Sequence, residues 1–517
     1  MRIVTFLCVL FISNNIQAQF TNVMISDANN PNEPAIVINP NNTNIQFAAS
    51  NTANYYVSTD AGATWSENVL TSTLGVWGDP ALAIDKNNNF YFFHLSNPTS
   101  NGFFLDRIVC QKSTDNGTTF NDGSYFGING TKEQDKEWIT VDDNNNIYAL
   151  WTEFDMYGST SANDKTRILF SKSTDGATTW SNPVKVNIVD GDCVDSDNTV
   201  EGAVPAIGPN GEIYTSWGSP NGIVFSKSTD GGTTWLSNEI LVDSMPNGWD
   251  FAIPGLDRCN GMPITVCDRS GGQYNGTIYI NWSDQKNGVN DTDIWLKKST
   301  DGGNTWSNVV RVNDDGVGKQ QFLSWMDIDQ TNGNIYIVFY DRRNYTDNNT
   351  DVYLARSTDG GNTFQNILIS ESPFVPTDNV FFGDYTNISA HNGVIRPIWN
   401  RVHNGNSSIY TALIDDSAIA STDDYFNVNF ELSQNYPNPV KNDETYIKFK
   451  LKGAQIVNLA IYNLLGEKVS EVIKNKKFSS GKHVEKIDLS THHLSKGVYF
   501  YKLKIGNQEQ SKKMVID

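Results

Sequence analysis

The sequence predicts an all-β protein, a closed ring of repeated antiparallel sheets followed by a small β-sandwich. Three observations carry this. Six near-identical octets recur along the first 365 residues. Short alternating apolar runs such as Ile147-Tyr148-Ala149-Leu150-Trp151 are frequent, and long helical patterns are hard to find. Near residue 426 the composition shifts from Asn, Asp and Gly towards Lys. A chain of 517 residues with 13 Trp, 21 Tyr and 26 Phe has ample aromatic material for sheet-on-sheet cores, and 40 Gly suit many tight turns.

At the start, residues 1–18 read as a secretory signal. Arg2 supplies the positive end, residues 3–12 are apolar but too short to span a bilayer, and Gln17-Ala18 precedes a cleavage point, with a bulky Ile16 at minus three. No other segment is long and apolar enough to cross a membrane. The formal net charge of −20 repels nucleic acid and anionic lipid, so neither is an expected partner, and it suits solubility outside the cell. Cys8 leaves with the signal. Cys110, Cys193, Cys259 and Cys267 permit two disulfides in three connectivities, with Cys259–Cys267 as one local candidate; no Cys-x-x-Cys pair supports zinc.

The octets begin at Ser58, Ser113, Ser173, Ser228, Ser299 and Ser357, as in STDGGTTW, with gaps of 55, 60, 55, 71 and 58 residues. Asp60, Asp115, Asp175, Asp230, Asp301 and Asp359 can accept turn N–H groups, Gly allows positive φ, and the closing Trp or Phe can pack beneath the turn. These octets resemble the Asp box of sialidases and other bacterial propellers. In that family the boxes are structural, so the resemblance assigns none of the six aspartates to catalysis.

Before each box lies an acidic or Pro-containing strand, a polar turn and an aromatic strand. Asp79-Pro80-Ala81-Leu82 with Phe90-Tyr91-Phe92, and Glu137-Trp138-Ile139-Thr140 with Ile147-Tyr148-Ala149, are examples; the first copy begins at Glu33-Pro34. A seventh copy, from Asp384-Tyr385, has no box and no fourth strand. Asn22-Val23-Met24-Ile25-Ser26 is similar to the strands that follow the boxes and would complete it, closing the ring and removing a free edge. The expectation is a seven-bladed β-propeller over residues 19–420, with the six blades of classical sialidases as the alternative.

Residues 426–517 form a separate unit. Asn435-Tyr436-Pro437-Asn438-Pro439 opens it, Val457-Asn458-Leu459-Ala460-Ile461-Tyr462-Asn463, Gly481-Lys482-His483 and Gly497-Val498-Tyr499-Phe500-Tyr501 follow, and Lys512-Lys513-Met514-Val515-Ile516 ends it. This order resembles the type A sorting domain of the type IX secretion system of Bacteroidetes. The resemblance implies passage to the cell surface or medium with the type IX machinery as a partner, and removal of the domain afterwards. Alternating strands suit a small β-sandwich.

Function on a propeller concentrates at one mouth of its channel. The candidates are Glu33, Asp79, Glu137, Glu201 and Asp384 at the starts of first strands, with Trp77, Trp138, Trp325 and Tyr385 beside them. Aromatic faces stack on pyranose CH groups, and carboxylates bind hydroxyls or do acid–base work, so an extracellular glycan or polymer is the expected partner. The bland alternative is that the acids cap backbone N–H groups and the tryptophans fill the channel. The sialidase resemblance implies a Tyr nucleophile helped by a Glu, matched here by Tyr385 and Glu201, with Asp79 as the weaker acid/base candidate. It also implies three arginines that clamp a carboxylate. Where sialidases begin with Arg-Ile-Pro, this chain has Asn32-Glu33-Pro34-Ala35; Arg343 is a further substrate-binding candidate, and Arg258, Arg269, Arg342, Arg396 and Arg401 lie in no matching motif.

No cofactor is expected. Asp85-Lys86-Asn87-Asn88-Asn89 and Asp142-Asp143-Asn144-Asn145-Asn146 are faintly similar to calcium loops, but lack the EF-hand glycine and distal glutamate and read as turns. The resulting reading is a secreted, carbohydrate-directed propeller, a glycoside hydrolase or glycan-binding protein. The alternative is a non-catalytic propeller that binds protein or polymer.

Overall fold

The computed structural model describes residues 20–96, 105–419, 430–441, 443–451, 453–464, 466–505 and 508–517. The signal expected at 1–18 lies outside them. The chain divides into two compact units, one ending at Asp415 and one beginning at Asp416.

Among the described residues, the first unit consists of seven antiparallel sheets in chain order. Their first strands are Ala35–Ile38, Gly78–Ile84, Glu133–Val141, Glu201–Ile207, Ile264–Cys267, Gln321–Ile328 and Asn387–His391. Sheets 1 to 6 each add three consecutive strands. Sheet 7 takes its outer strand from the other end of the unit: Asn22–Ser26 pairs with Asn406–Ala412, Asn22 opposite Ala412. The first strands touch in sequence, each its successor, and the first strand of sheet 7 touches that of sheet 1. Together they wall a cavity of about 310 Å3.

The second strands explain why the sheets stack. Ile335–Asp341 reads IYIVFYD and is buried throughout, because both faces meet neighbouring sheets. Trp151, Trp217 and Trp282 each occupy the fifth position of such a strand and are fully buried.

The boxes lock each turn by local bonds. In sheet 4, the Ser228 hydroxyl and the Thr234 N–H donate to Asp230 Oδ1 at 2.8 and 2.9 Å, and the Thr234 hydroxyl donates to Oδ2 at 2.6 Å. Gly232, at φ 84°, lies against the preceding sheet, where a Cβ would stand 2.0 Å from the Phe170 ring. A lysine one residue before the octet reaches the next box: Lys112, Lys172, Lys227 and Lys298 donate to the carbonyls of Gly176, Gly231, Gly302 and Gly360. Arg396 of sheet 7 makes the corresponding link to the first box, donating twice to the Ala61 carbonyl at 2.9 and 2.7 Å.

The Asp85 and Asp142 segments form turns. Asp85 Oδ1 accepts the N–H groups of Asn87 and Asn89, and its Oδ2 accepts from Asn89 Nδ2 and the Tyr91 hydroxyl; Asp142 repeats the pattern with Asn144, Asn146 and Tyr148. The disulfides that the cysteine count permits do not form. All four cysteines are buried free thiols. Cys259 precedes the first strand of sheet 5 and Cys267 ends it, so an extended strand carries them apart.

The second unit has a sheet of Phe430–Leu432, Glu444–Leu451 and Gly481–Asp488, and another ordered Lys468–Phe478, Gln455–Tyr462, Gly497–Ile505, Gln508–Ile516. Ile447, Phe449, Leu459, Ile461, Tyr501 and Leu503 alternate inwards to one core.

Candidate functional site

The first strands share an irregularity at their start. A residue takes a left-handed conformation two positions before the regular ladder in five of them, Glu33 (φ 48°), Asp79 (φ 51°), Lys136 (φ 51°), Gly202 (φ 77°) and Leu323 (φ 50°), and four positions before it in sheet 7, Gly383 (φ 91°). In sheets 2, 3, 4 and 6 the register slips there by a bulge. Non-glycine residues held this way cost on the order of 1–3 kcal/mol each, and bulges re-aim side chains. The predicted acids therefore occupy three different positions. Glu33 and Asp79 are the left-handed residues, Glu137 and Asp384 follow them, and Glu201 precedes one. Lys136 holds the position of Glu33 and Asp79 in sheet 3, which the acid-centred sequence reading passed over.

Lys136 organises the cluster. Its ammonium lies 2.8 Å from Asp384 Oδ2 and 3.3 Å from Asp79 Oδ2, which holds these two carboxylates within about 6 Å of each other. Burial disfavours the charged ammonium, but Asp384, Asp79, Asp135 and Glu33 outweigh it and raise the Lys136 pKa well above the usual range. Burial likewise opposes ionisation of Asp79, yet Lys136 prevails and the carboxyl sits below its ordinary value. Glu33 goes the other way: burial, then the charges of Asp79 and Asp384, push it well up. Glu33 accepts from Asn51 Nδ2 and from the Asp384 N–H, and Asn51 Oδ1 accepts the Asp79 N–H.

Arg258 enters from the long connection between sheets 4 and 5, the source of the 71-residue gap between boxes. Its guanidinium is 2.5 Å from Asp384 Oδ2, 3.9 Å from Glu33 and 3.8 Å from Asp195. Asn260, from the same connection, donates to the Asp384 carbonyl at 2.9 Å. The signal for both was the length of that gap.

Below the charges lies an aromatic floor. Trp138 and Trp325 rings are 4.4 Å apart, and Tyr385 stands edge-on to Trp138 at 5.0 Å. Both tryptophans also line the central cavity beneath, so the floor separates it from the cluster.

Tyr385 and Glu201 do not hydrogen-bond to each other: neither the phenol oxygen nor either carboxyl oxygen has a partner among the described residues. The groups that act most on the buried Tyr385 phenol, after burial itself, are Asp79, Glu33, Lys136 and Glu137, and they raise its pKa far above the ordinary value. Glu201 faces Asp195, Lys136 and Asp135. Glu137 and Glu201 are both about 1 % exposed, and among the described residues no donor reaches any of their four carboxyl oxygens. Burial first, then Asp79 for Glu137 and Asp195 for Glu201, pushes both well up, which favours their protonated forms. Asp135, which the sequence reading missed, is raised by burial to about 7.

Two predicted residues stand outside this group. Trp77 is 40 % exposed, and its backbone N–H donates to the Leu95 carbonyl. Arg343 is a sheet-6 residue whose guanidinium binds Asp341, Asp314 and Asn366 and lies over Tyr353. The other arginines are equally engaged: Arg342 with Thr350, Asn348 and the Pro254 carbonyl, Arg396 with Ala61, Arg401 with Ser372, and Arg269 with Asp143 where first strands end. No three-arginine clamp is assembled among the described residues. The geometric reason is that each guanidinium is tied to polar groups of its own surroundings.

Comparison with known proteins agrees with the repeat and with the tail. Residues 145–381 match the BNR repeat-like domain, and residues 434–517 match the secretion system C-terminal sorting domain. The chain is similar to a xyloglucanase, Xgh74A, of Acetivibrio thermocellus, 27% identical over 280 residues that make up 49% of this chain and 28% of that protein. It thus spans little more than a quarter of that relative's length. Among solved structures it is similar to the sialidase of Trypanosoma rangeli (12% identity, 87% of this chain and 85% of that one, TM-score 0.40). It is also similar to the α-L-arabinofuranosidase of Fusarium graminearum (13% identity, 77% and 98%, TM-score 0.43).

Proposed function

We propose that the chain, an all-β protein with a BNR repeat-like region and a C-terminal sorting domain, is a seven-bladed β-propeller exported by type IX secretion that acts on a neutral glycan outside the cell. One observation carries the functional part: a lysine-bridged carboxylate pair, Asp79 and Asp384, set over the Trp138–Trp325–Tyr385 floor. A glycosidase needs carboxyls whose environments drive their pKa values apart, and Glu33 and Asp79 are displaced in opposite directions. The similarity to a xyloglucanase supports a carbohydrate substrate. A sialic acid is disfavoured, because Glu33 stands where the first clamp arginine would and the surplus of carboxyls repels an anion.

In the catalytic version Asp79, whose carboxyl Lys136 shifts down, is the base that faces the Tyr385 phenol, and Glu201, shifted up by burial and Asp195, takes no part. The purified chain is assayed on neutral polysaccharides and on sialosides. Turnover on a neutral glycan, falling about 10²–10⁴-fold in Asp79→Asn and in Tyr385→Phe, is expected. Full activity in both variants sinks the residue assignments, and turnover of a sialoside sinks the substrate class.

The second reading, an interaction propeller that binds protein or polymer without cleaving it, is favoured by the packing of the same floor, since three rings in mutual contact also fill the channel without a substrate. It predicts no turnover on any glycan.

A further inference from the structure

Tyr157 and Phe381 are exposed aromatics, 40 % and 39 % accessible, on connections that belong to sheet 3 and to the link between sheets 6 and 7. Neither ring is loose. The Tyr157 hydroxyl donates to Asp195 Oδ2, and the Arg258 guanidinium lies over the Phe381 ring at 4.9 Å. Arg258 in turn contacts Asp195 at 3.8 Å and Asp384 at 2.5 Å. Four side chains from four separate connections thus form a continuous line, ring–carboxylate–guanidinium–ring, that runs along the mouth and is tied at its middle to the buried cluster.

Resting on the carbohydrate reading above, we propose that Tyr157, Asp195, Arg258 and Phe381 form a rim subsite for sugar units next to the one held at the Asp79–Asp384 cluster, so that the substrate is a polysaccharide bound along its length rather than a terminal sugar. The rings supply apolar faces for sugar CH groups, and the charged pair supplies donors and acceptors for hydroxyls. Because both rings are already pinned, little side-chain entropy is lost when a chain lies on them. The rim cation is matched by Asp195 and Asp384, which suits uncharged units. A site for a terminal sugar has no need of held aromatics outside its pocket.

The test compares affinities by calorimetry for xyloglucan and linear arabinan against their constituent monosaccharides, with the full chain. Wild type is expected to bind one polymer better than its monosaccharide, and Phe381→Ala and Tyr157→Ala are each expected to lower that ratio about tenfold. Phe381→Trp keeps a ring and is expected to retain the ratio, as is Val317→Ser at an exposed position on the connection between sheets 5 and 6, from which none of the four side chains comes. An unchanged ratio in both alanine variants, or its loss in Phe381→Trp, overturns the rim while leaving the carbohydrate reading intact. A wild type that binds neither polymer nor monosaccharide overturns that reading, and the rim with it.

Discussion

The box aspartates and the carboxyls at the mouth are the same functional group in opposite surroundings. Asp115, Asp175 and Asp230 lie at the surface, and each is held at about 2, first by the hydroxyl and N–H of a Thr four residues on and then by the Ser two residues back. Glu33, Glu137 and Glu201 are buried, and removal from water pushes them up. A donor-rich turn stabilises the ionised form, and a dry cleft crowded with like charges stabilises the protonated one. The difference teaches that a carboxyl in this chain is structural when its partners are close in sequence. The mouth carboxyls, by contrast, take their partners from other sheets.

The largest expected effect breaks the mouth side of this comparison. Lys136→Met leaves Asp79 and Asp384 buried without the ammonium between them, and a loss of about 3–5 kcal/mol in urea-unfolding free energy is expected. A loss below about 1 kcal/mol would show that Arg258 alone compensates the cluster.

Next comes the pH dependence. The folded pKa values of Glu137 and Glu201 are raised, so the folded state keeps protons that the unfolded chain gives up above roughly pH 4.3. Their contribution to stability is full below that value and falls as pH rises towards the folded pKa. In Glu201→Gln no proton is released, so the decline in urea midpoint between pH 5 and pH 8 should be shallower than in wild type. An equal slope would mean that Glu201 is ionised in the folded protein.

The smallest effect has the opposite sign. Asp175 has a depressed folded pKa, so its contribution is present above the unfolded value near 3.9 and lost as pH falls through about 2. Asp175→Asn should lower the thermal midpoint slightly at pH 6, and the two proteins should converge at pH 2. A difference that persists at pH 2 would point to packing rather than charge.

Legibility followed the same division. The octets, their spacing and the hairpin each one turns could be read directly, because Ser228, Asp230, Gly232 and Thr234 bond to one another within seven residues. Trp138, Trp325, Tyr385, Asp79, Asp384 and Glu33 were read as neighbours at the mouth, and the structure gathers them there. The pairing of Tyr385 with Glu201, the place of Arg343 and the cysteine bridges were not legible. Each depended on where side chains lie in space, which neither sequence spacing nor a motif specifies, whether the residues are 8 apart, as Cys259 and Cys267 are, or 184 apart, as Glu201 and Tyr385 are. Lys136 escaped because it was the odd residue type at a position defined by φ and register, and neither is visible until a bulge is seen.

The sequence by itself determined the repeat, the antiparallel sheets, the turn chemistry of the boxes and the separate Lys-rich tail, since all of these rest on local hydrogen bonds and on alternation within single strands. Only the tertiary structure decided which carboxyls are buried, which arginines are already engaged and which aromatics face solvent. Those properties come from burial and from partners on other sheets, and electrostatic energy at the mouth depends on separations in space, which the order of residues does not specify.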